Sequence, residues 1–213
     1  MMKSAVKNIG YYQWLLVVFL LLCGQASAQN HFGVGLGNSY LQPVGSLQNW
    51  FKGTSKAPQV SFIFNRTAEA HWQFFATAAH FDQPNKEKLY YKDLQLDLKL
   101  YGAGVAYVSY LSVPRWRLQP FWKGAVTLFR WEAVRGAYQT ADRLVPQRFQ
   151  QAWSFAAYGG LGMAFHVTRF LKFNVSGGYQ LVVAELWPAL ALHLENVSGL
   201  QIMRFELGFQ WMF

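Results

Sequence analysis

Phe205-Glu206-Leu207-Gly208-Phe209-Gln210-Trp211-Met212-Phe213 decides the fold. Phe205, Leu207, Phe209, Trp211 and Phe213 alternate with Glu206, Gly208, Gln210 and Met212. A period of two makes a strand with one strongly apolar face. The sequence ends on Phe213, so this reading expects no later segment to cover that face. Five bare large apolar side chains in a row are rare on a soluble surface. A strand between hydrocarbon and a polar lumen requires them.

At the other end, Lys3 and Lys7 precede an apolar run from Trp14 to Leu22, and Ala26-Ser27-Ala28 follows. Residues 1–28 are therefore expected to be a cleaved secretory signal peptide, with residues 29–213 forming one domain. The apolar run is too short for a spanning helix, which needs about 20 residues. Cys23 lies in this leader behind the large Leu22, an unfavourable setting for lipoprotein processing, and the rest of the chain has no cysteine. Export without disulfides suits a barrel stabilised by strand closure. Loss of Lys3 and Lys7 takes the formal net charge from +9 to +7. In an exported protein that charge points to anionic lipid head groups rather than nucleic acid. The composition is 53% hydrophobic, yet no apolar run beyond the leader approaches about 18 residues, which excludes a helical membrane protein.

Alternation predicts eight strands. The first covers 31–40, with Phe32, Val34 and Leu36 on one face and Gly33, Gly35 and Gly37 on the other. No Gly-Lys-Ser/Thr follows these glycines, so they read as close strand packing and not as a phosphate loop. The second covers 58–65, with Val60, Phe62 and Phe64 outward. The third covers 70–81, where Trp72/Phe74 compete with Phe75/Phe81 for the outer face. The fourth covers 93–111. Its apolar face switches from Leu94, Leu96, Leu98 and Leu100 to Tyr101, Ala103, Val105 and Tyr107, which predicts a bulge near Tyr101. The fifth (116–131), sixth (151–166), seventh (170–184) and eighth (200–213) alternate more simply. Connections are long after odd strands, including a polar loop at 132–148, and short after even ones. Aromatic residues gather near both expected interfaces, Trp72, Trp116, Phe170, Trp211 and Phe213 at one and Trp153 and Trp187 at the other. The prediction is an all-β, eight-stranded antiparallel up-and-down transmembrane β-barrel.

In this architecture the chain resembles the small outer-membrane barrels of the OmpA/OmpX type over essentially all of its length beyond the leader. Gly208, Phe209, Trp211 and Phe213 resemble the signal read by the barrel-insertion machinery. Tyr158-Gly159-Gly160-Leu161-Gly162-Met163 resembles the Gly-rich central strands of such proteins. The resemblance implies residence in the outer membrane of a Gram-negative bacterium, contact with lipid and lipopolysaccharide, and a structural, surface-interaction or assembly-subunit role with an outer-membrane protein partner. Some barrels of this size modify lipid A with a serine, a histidine and a carboxylate. His193, Glu195 and Ser198 are the candidate set here, although the His-x-Ser arrangement of the deacylases is missing.

An eight-stranded lumen is just wide enough for side chains to fill. Lys123, Lys172, Asn174, Gln180, Arg204, Glu206 and Gln210 should meet inside it, with Glu206 paired to Arg204, Lys123 or Lys172 as a structural plug. A narrow ion channel is the competing role for the same residues. His71, His80 and His166 have no metal-ligand spacing, so no metal or cofactor is expected. Lys52, Lys56, Lys86, Lys88, Lys92, Arg135, Arg143 and Arg148 fall at the level of the long connections, where they suit lipopolysaccharide phosphates. Trp50-Phe51 and Tyr90-Tyr91 read either as a protein contact or as part of the girdle. A soluble lipocalin-like barrel would need apolar residues inside and polar ones outside, which the inward Lys, Arg and Glu set opposes.

Overall fold

The computed structural model describes residues 32–67, 69–89, 91, 94–111, 117–139, 144–183 and 199–213. The expected signal peptide lies outside them, as do Lys92, Trp116, Arg143 and Trp187.

Eight strands close into an antiparallel barrel: β1 (Phe32–Val44), β2 (Ser55–Thr67), β3 (Ala70–Phe81), β4 (Leu96–Tyr110), β5 (Leu118–Arg135), β8 (Arg148–His166), β9 (Leu171–Val183) and β10 (Leu200–Met212). Between β5 and β8, the short strands β6 (Tyr138–Gln139) and β7 (Leu144–Val145) pair as a hairpin tip. The seam joins β1 to β10 from Gly33 opposite Met212 to Val44 opposite Gln201. Small residues let backbones approach there. A Cβ on Gly33 would stand 2.6 Å from the Trp211 carbonyl oxygen, and one on Gly37 2.8 Å from that of Leu207.

The turn end carries the short connections and the loop end the long ones. Around the turn-end half, the outward side chains are apolar: Leu36, Val60, Phe62, Phe74, Val126, Leu161, Phe205 and Phe209 are all exposed. Aromatic rows ring this end. Trp72, Tyr107 and Trp122 stack across β3, β4 and β5, with ring centroids 5.0 and 5.5 Å apart. Phe165, Phe173 and Phe209 do the same across β8, β9 and β10. Exposed Trp153 stands farther up β8, just below Gln151.

Higher up, the polarity inverts. His80, Lys99, Glu132 and Gln151 stand opposite one another across β3, β4, β5 and β8, on the outer face. His80 Nε2 lies 2.6 Å from Asp97, and Arg130 lies 3.4 Å from Glu132. Inside at this level are Leu41, Phe81, Leu96, Leu98, Leu100, Phe129, Trp131, Ala133, Leu200 and Ile202, one continuous buried apolar cluster. The connection after β1 closes it from above. A 3-10 turn over Gly45–Asn49 drops Leu47 into the core, followed by Trp50 and Phe51. Asn85 Nδ2 donates to the Gln48 carbonyl at 2.7 Å, and the Asn85 amide donates to the Trp50 carbonyl at 2.9 Å. These bonds stitch the β3–β4 connection across the mouth.

Three expectations change, and one open alternative is decided. β4 keeps an unbroken register with β3 and β5, with no bulge at Tyr101. Leu96, Leu98 and Leu100 point inward and Tyr101, Ala103, Val105 and Tyr107 outward on one straight strand, because the surroundings switch and the strand does not. In β3, Trp72 and Phe74 face out while Phe75 and Phe81 face in. The segment expected as a loop over 132–148 loses both its ends to the ladder, since β5 and β8 stay paired up to Arg135 opposite Arg148, and β6 pairs with β7 between them. Trp50 and Phe51 are neither girdle nor exposed contact but 5% and 1% exposed in the mouth core, and Tyr91 stacks on Tyr138 at 4.8 Å.

Candidate functional site

The turn-end half of the lumen holds the polar residues. On β10, Arg204 and Glu206 share the inner face because they are two residues apart. Glu206 Oε2 accepts from Lys123 Nζ of β5 at 2.6 Å and from Ser176 Oγ of β9 at 3.4 Å. Its Oε1 lies 2.7 Å from Arg204 Nε, close in charge but out of line for a hydrogen bond. Arg204 donates instead from Nε to Ser39 Oγ at 3.2 Å, from Nη1 to Gln180 Oε1 at 3.1 Å and from Nη2 to Gln59 Oε1 at 2.6 Å. Its partners therefore span β1, β2 and β9. Phe75 and Tyr158 border both cations. Lys123 Nζ is 5.7 Å from each ring centroid, and the Arg204 guanidinium is 5.8 and 5.5 Å away. Gly160, two residues along the inner face from Tyr158, leaves that ring its room, since a Cβ there would overlap the phenol.

The expected set divides. Lys123, Gln180, Arg204 and Glu206 come together. Lys172 makes no ion pair with Glu206 and lies over the Tyr110 ring at 5.2 Å, nearer the turn end. Gln210 and Asn174 line a cavity of about 50 Å³ below the charged cluster, with His71, Gln73 and Tyr110. Among its lining atoms, Asn38 Oδ1, His71 Nε2, Asn174 Oδ1 and Gln210 Oε1 have no protein hydrogen-bond partner. A polar space of this size suits one or two bound waters. His71 is inside the lumen, His80 is outside at the polar ring, and His166 contacts Gln119 at 2.8 Å. His193, Glu195 and Ser198 lie outside the described residues. Of the terminal set, Phe209 and Trp211 face outward, and Gly208 stands opposite Gly37 across the seam.

Sequence reasoning missed Gln59, Ser39, Phe75 and Tyr158 as partners of the cluster. Inward parity on strands phased by Val60, Leu36 and Phe155 marked Gln59, Ser39 and Tyr158, whereas the open facing of β3 gave no such signal for Phe75.

The charged cluster occupies the lumen at one level, and the buried apolar core lies above it. Backbone closure, short turns at one end and an outward apolar belt complete the pattern. The fold is that of the small eight-stranded outer-membrane barrels. Surface protein A of Neisseria is similar, with a TM-score of 0.54 and 16% identity over 85% of this chain and 97% of that one. A major outer membrane protein from Thermus thermophilus has a TM-score of 0.55 and 8% identity over 85% of this chain and 99% of that one. At these identities the likeness concerns the fold. No protein family and no curated protein matches the chain by sequence.

Proposed function

We propose that this protein is an integral outer-membrane barrel without catalytic activity. It is held by its turn-end half and presents a rigid, closed loop-end half as a surface-interaction or assembly platform. The inversion of polarity along single strands carries the reading. The apolar belt suits hydrocarbon. The row His80–Lys99–Glu132–Gln151 suits the head-group level, and the apolar-cored barrel above it suits water. A spanning strand needs about 9–11 residues, whereas β5 and β8 have 18 and 19. Their excess length supports projection beyond the bilayer. Lipid and lipopolysaccharide are the expected neighbours, and the aromatic terminal strand fits the barrel-insertion machinery.

Membrane fractionation tests the placement: the protein should be recovered with outer membranes. Recovery in the soluble or inner-membrane fraction would refute it. Planar-bilayer recording tests the closed lumen. The purified protein should add no steady conductance, and a reproducible unitary step would replace the platform with a channel.

A further inference from the structure

The top of the barrel holds a charge arrangement that neither the fold nor the platform reading explains. Arg135 closes β5 and Arg148 opens β8, directly opposite each other on the inner face. Like charges in that position repel. Arg135 is only 7% exposed, and its Nε has no hydrogen-bond partner. Its guanidinium lies over the Tyr138 ring at 5.3 Å, and Nη2 donates to the Pro146 carbonyl at 3.4 Å. Among the described residues, neither arginine forms an ion pair. A desolvated guanidinium facing a second one, with no carboxylate paired to either among the described residues, is costly unless an anion joins them. The two residues line an open cavity of about 380 Å³ with Leu144, Val145, Pro146 and Gln147. That volume admits a small ligand.

We propose that Arg135 and Arg148 form a binding site for a phosphate-like oxyanion at the barrel mouth. The Arg135 fork supplies its unused Nε–H, and exposed Arg148 completes the clamp from the facing strand. Paired guanidiniums match a dianion with several acceptor oxygens better than a single carboxylate. The site faces inward, and both strands have already passed the outer polar row at Glu132 and Gln151. A phosphoryl group approaching from solution, free or carried on a soluble ligand, therefore reaches it more directly than a head group of the surrounding bilayer. The inference deepens the platform reading by giving it a ligand class. It fails separately, because neither fractionation nor conductance reads anion binding at the mouth.

The test uses the full chain folded in uncharged maltoside micelles, titrated calorimetrically with inorganic phosphate. Saturable binding with one phosphate per barrel is expected. Arg148→Gln, an exposed change that keeps the fold, should weaken it at least about tenfold, as loss of a charged hydrogen bond does. Arg135→Lys keeps the charge but not the fork and should weaken it by a similar factor. Lys56→Gln with Lys99→Gln, on the outer face, should leave it unchanged. Phosphate binding that persists in zwitterionic vesicles and in phosphatidylglycerol vesicles identifies a soluble source. Competition by phosphatidylglycerol alone identifies a lipid head group in the same site. Absence of saturable binding, equal affinity in Arg148→Gln, equally tight binding of acetate, or loss of binding in the outer-face lysine variant would each overturn the proposal.

Discussion

The two halves of this barrel use the same strands with opposite polarity. Near the turn end, charge and amide groups face inward and hydrocarbon side chains face outward. Near the loop end, leucine and aromatic side chains face inward while His80, Asp97, Lys99, Arg130 and Glu132 face outward. Backbone hydrogen bonding is continuous through the change. The ladder therefore sets the shape, and the solvent on each side decides which residues it tolerates. The upper half is built like a soluble protein core. The lower half is built around a buried ion cluster and relies on its surroundings to cover its apolar belt.

The sharpest way to break this comparison is at the ion cluster. Glu206→Leu strands Lys123 and Arg204 together in a dry lumen and should cost roughly 3–5 kcal/mol. Denaturant unfolding in lipid vesicles reads the loss. Replacing Lys123, Arg204 and Glu206 together by Met, Met and Leu should recover most of it. A triple variant as unstable as the single one would show that the charges themselves hold the strands.

The upper half should respond as a packed core. Leu98 is fully buried, so Leu98→Ala should cost about 2–5 kcal/mol by cavity formation, measured in the same assay. A loss below about 1 kcal/mol would mean that the apolar cluster is loosely packed and that closure of the mouth does not depend on it.

The outer surfaces offer a direct contrast. Phe62→Arg places a cation in the apolar belt and should cost roughly 2–4 kcal/mol and lower the folded yield. Lys99→Leu, on the outer face at the polar row, should stay within about 0.5 kcal/mol. Equal effects at the two sites would move the boundary between the halves.

The smallest effect concerns the exposed rim. Lys52 Nζ bonds Glu87 Oε1 at 2.6 Å, and this hydrogen bond holds the Glu87 carboxyl below its ordinary value of 4.5. A depressed folded value makes the contribution present above the unfolded value and lost as pH falls through the folded one. Glu87→Gln should therefore slightly flatten the acid limb of the unfolding midpoint against pH, and added salt should mask the difference. Identical acid limbs in the two proteins would contradict the pairing.

Period-two alternation was enough to read eight strands, the seam strand and the outward faces of β2, β8, β9 and β10. It misled at β4 because Leu94–Leu100 and Tyr101–Tyr107 are apolar on opposite parities. A reader who keeps lipid outside along the whole strand must invent a bulge. The sequence does not encode the height at which the surroundings change. The same ignorance turned the paired top of β5 and β8 into a loop. In the lumen, Arg204 with Glu206 was legible from spacing. The choice of Lys123 over Lys172 depended on stagger between strands distant in sequence, which local pattern does not supply.

The seam also imposes an order in time. Ser39 on β1 and Arg204 on β10 are 165 residues apart, yet they share a hydrogen bond. Contacts this distant in sequence form late and slow the approach to the native state. Until β10 docks, β1 and β9 are open edges that invite foreign strands, and Lys123 stands beside no carboxylate. The strand that closes the cylinder is also the one that delivers Arg204 and Glu206. An unfinished barrel is therefore both uncapped along its length and electrically unbalanced inside, two faults that a single docking event removes together.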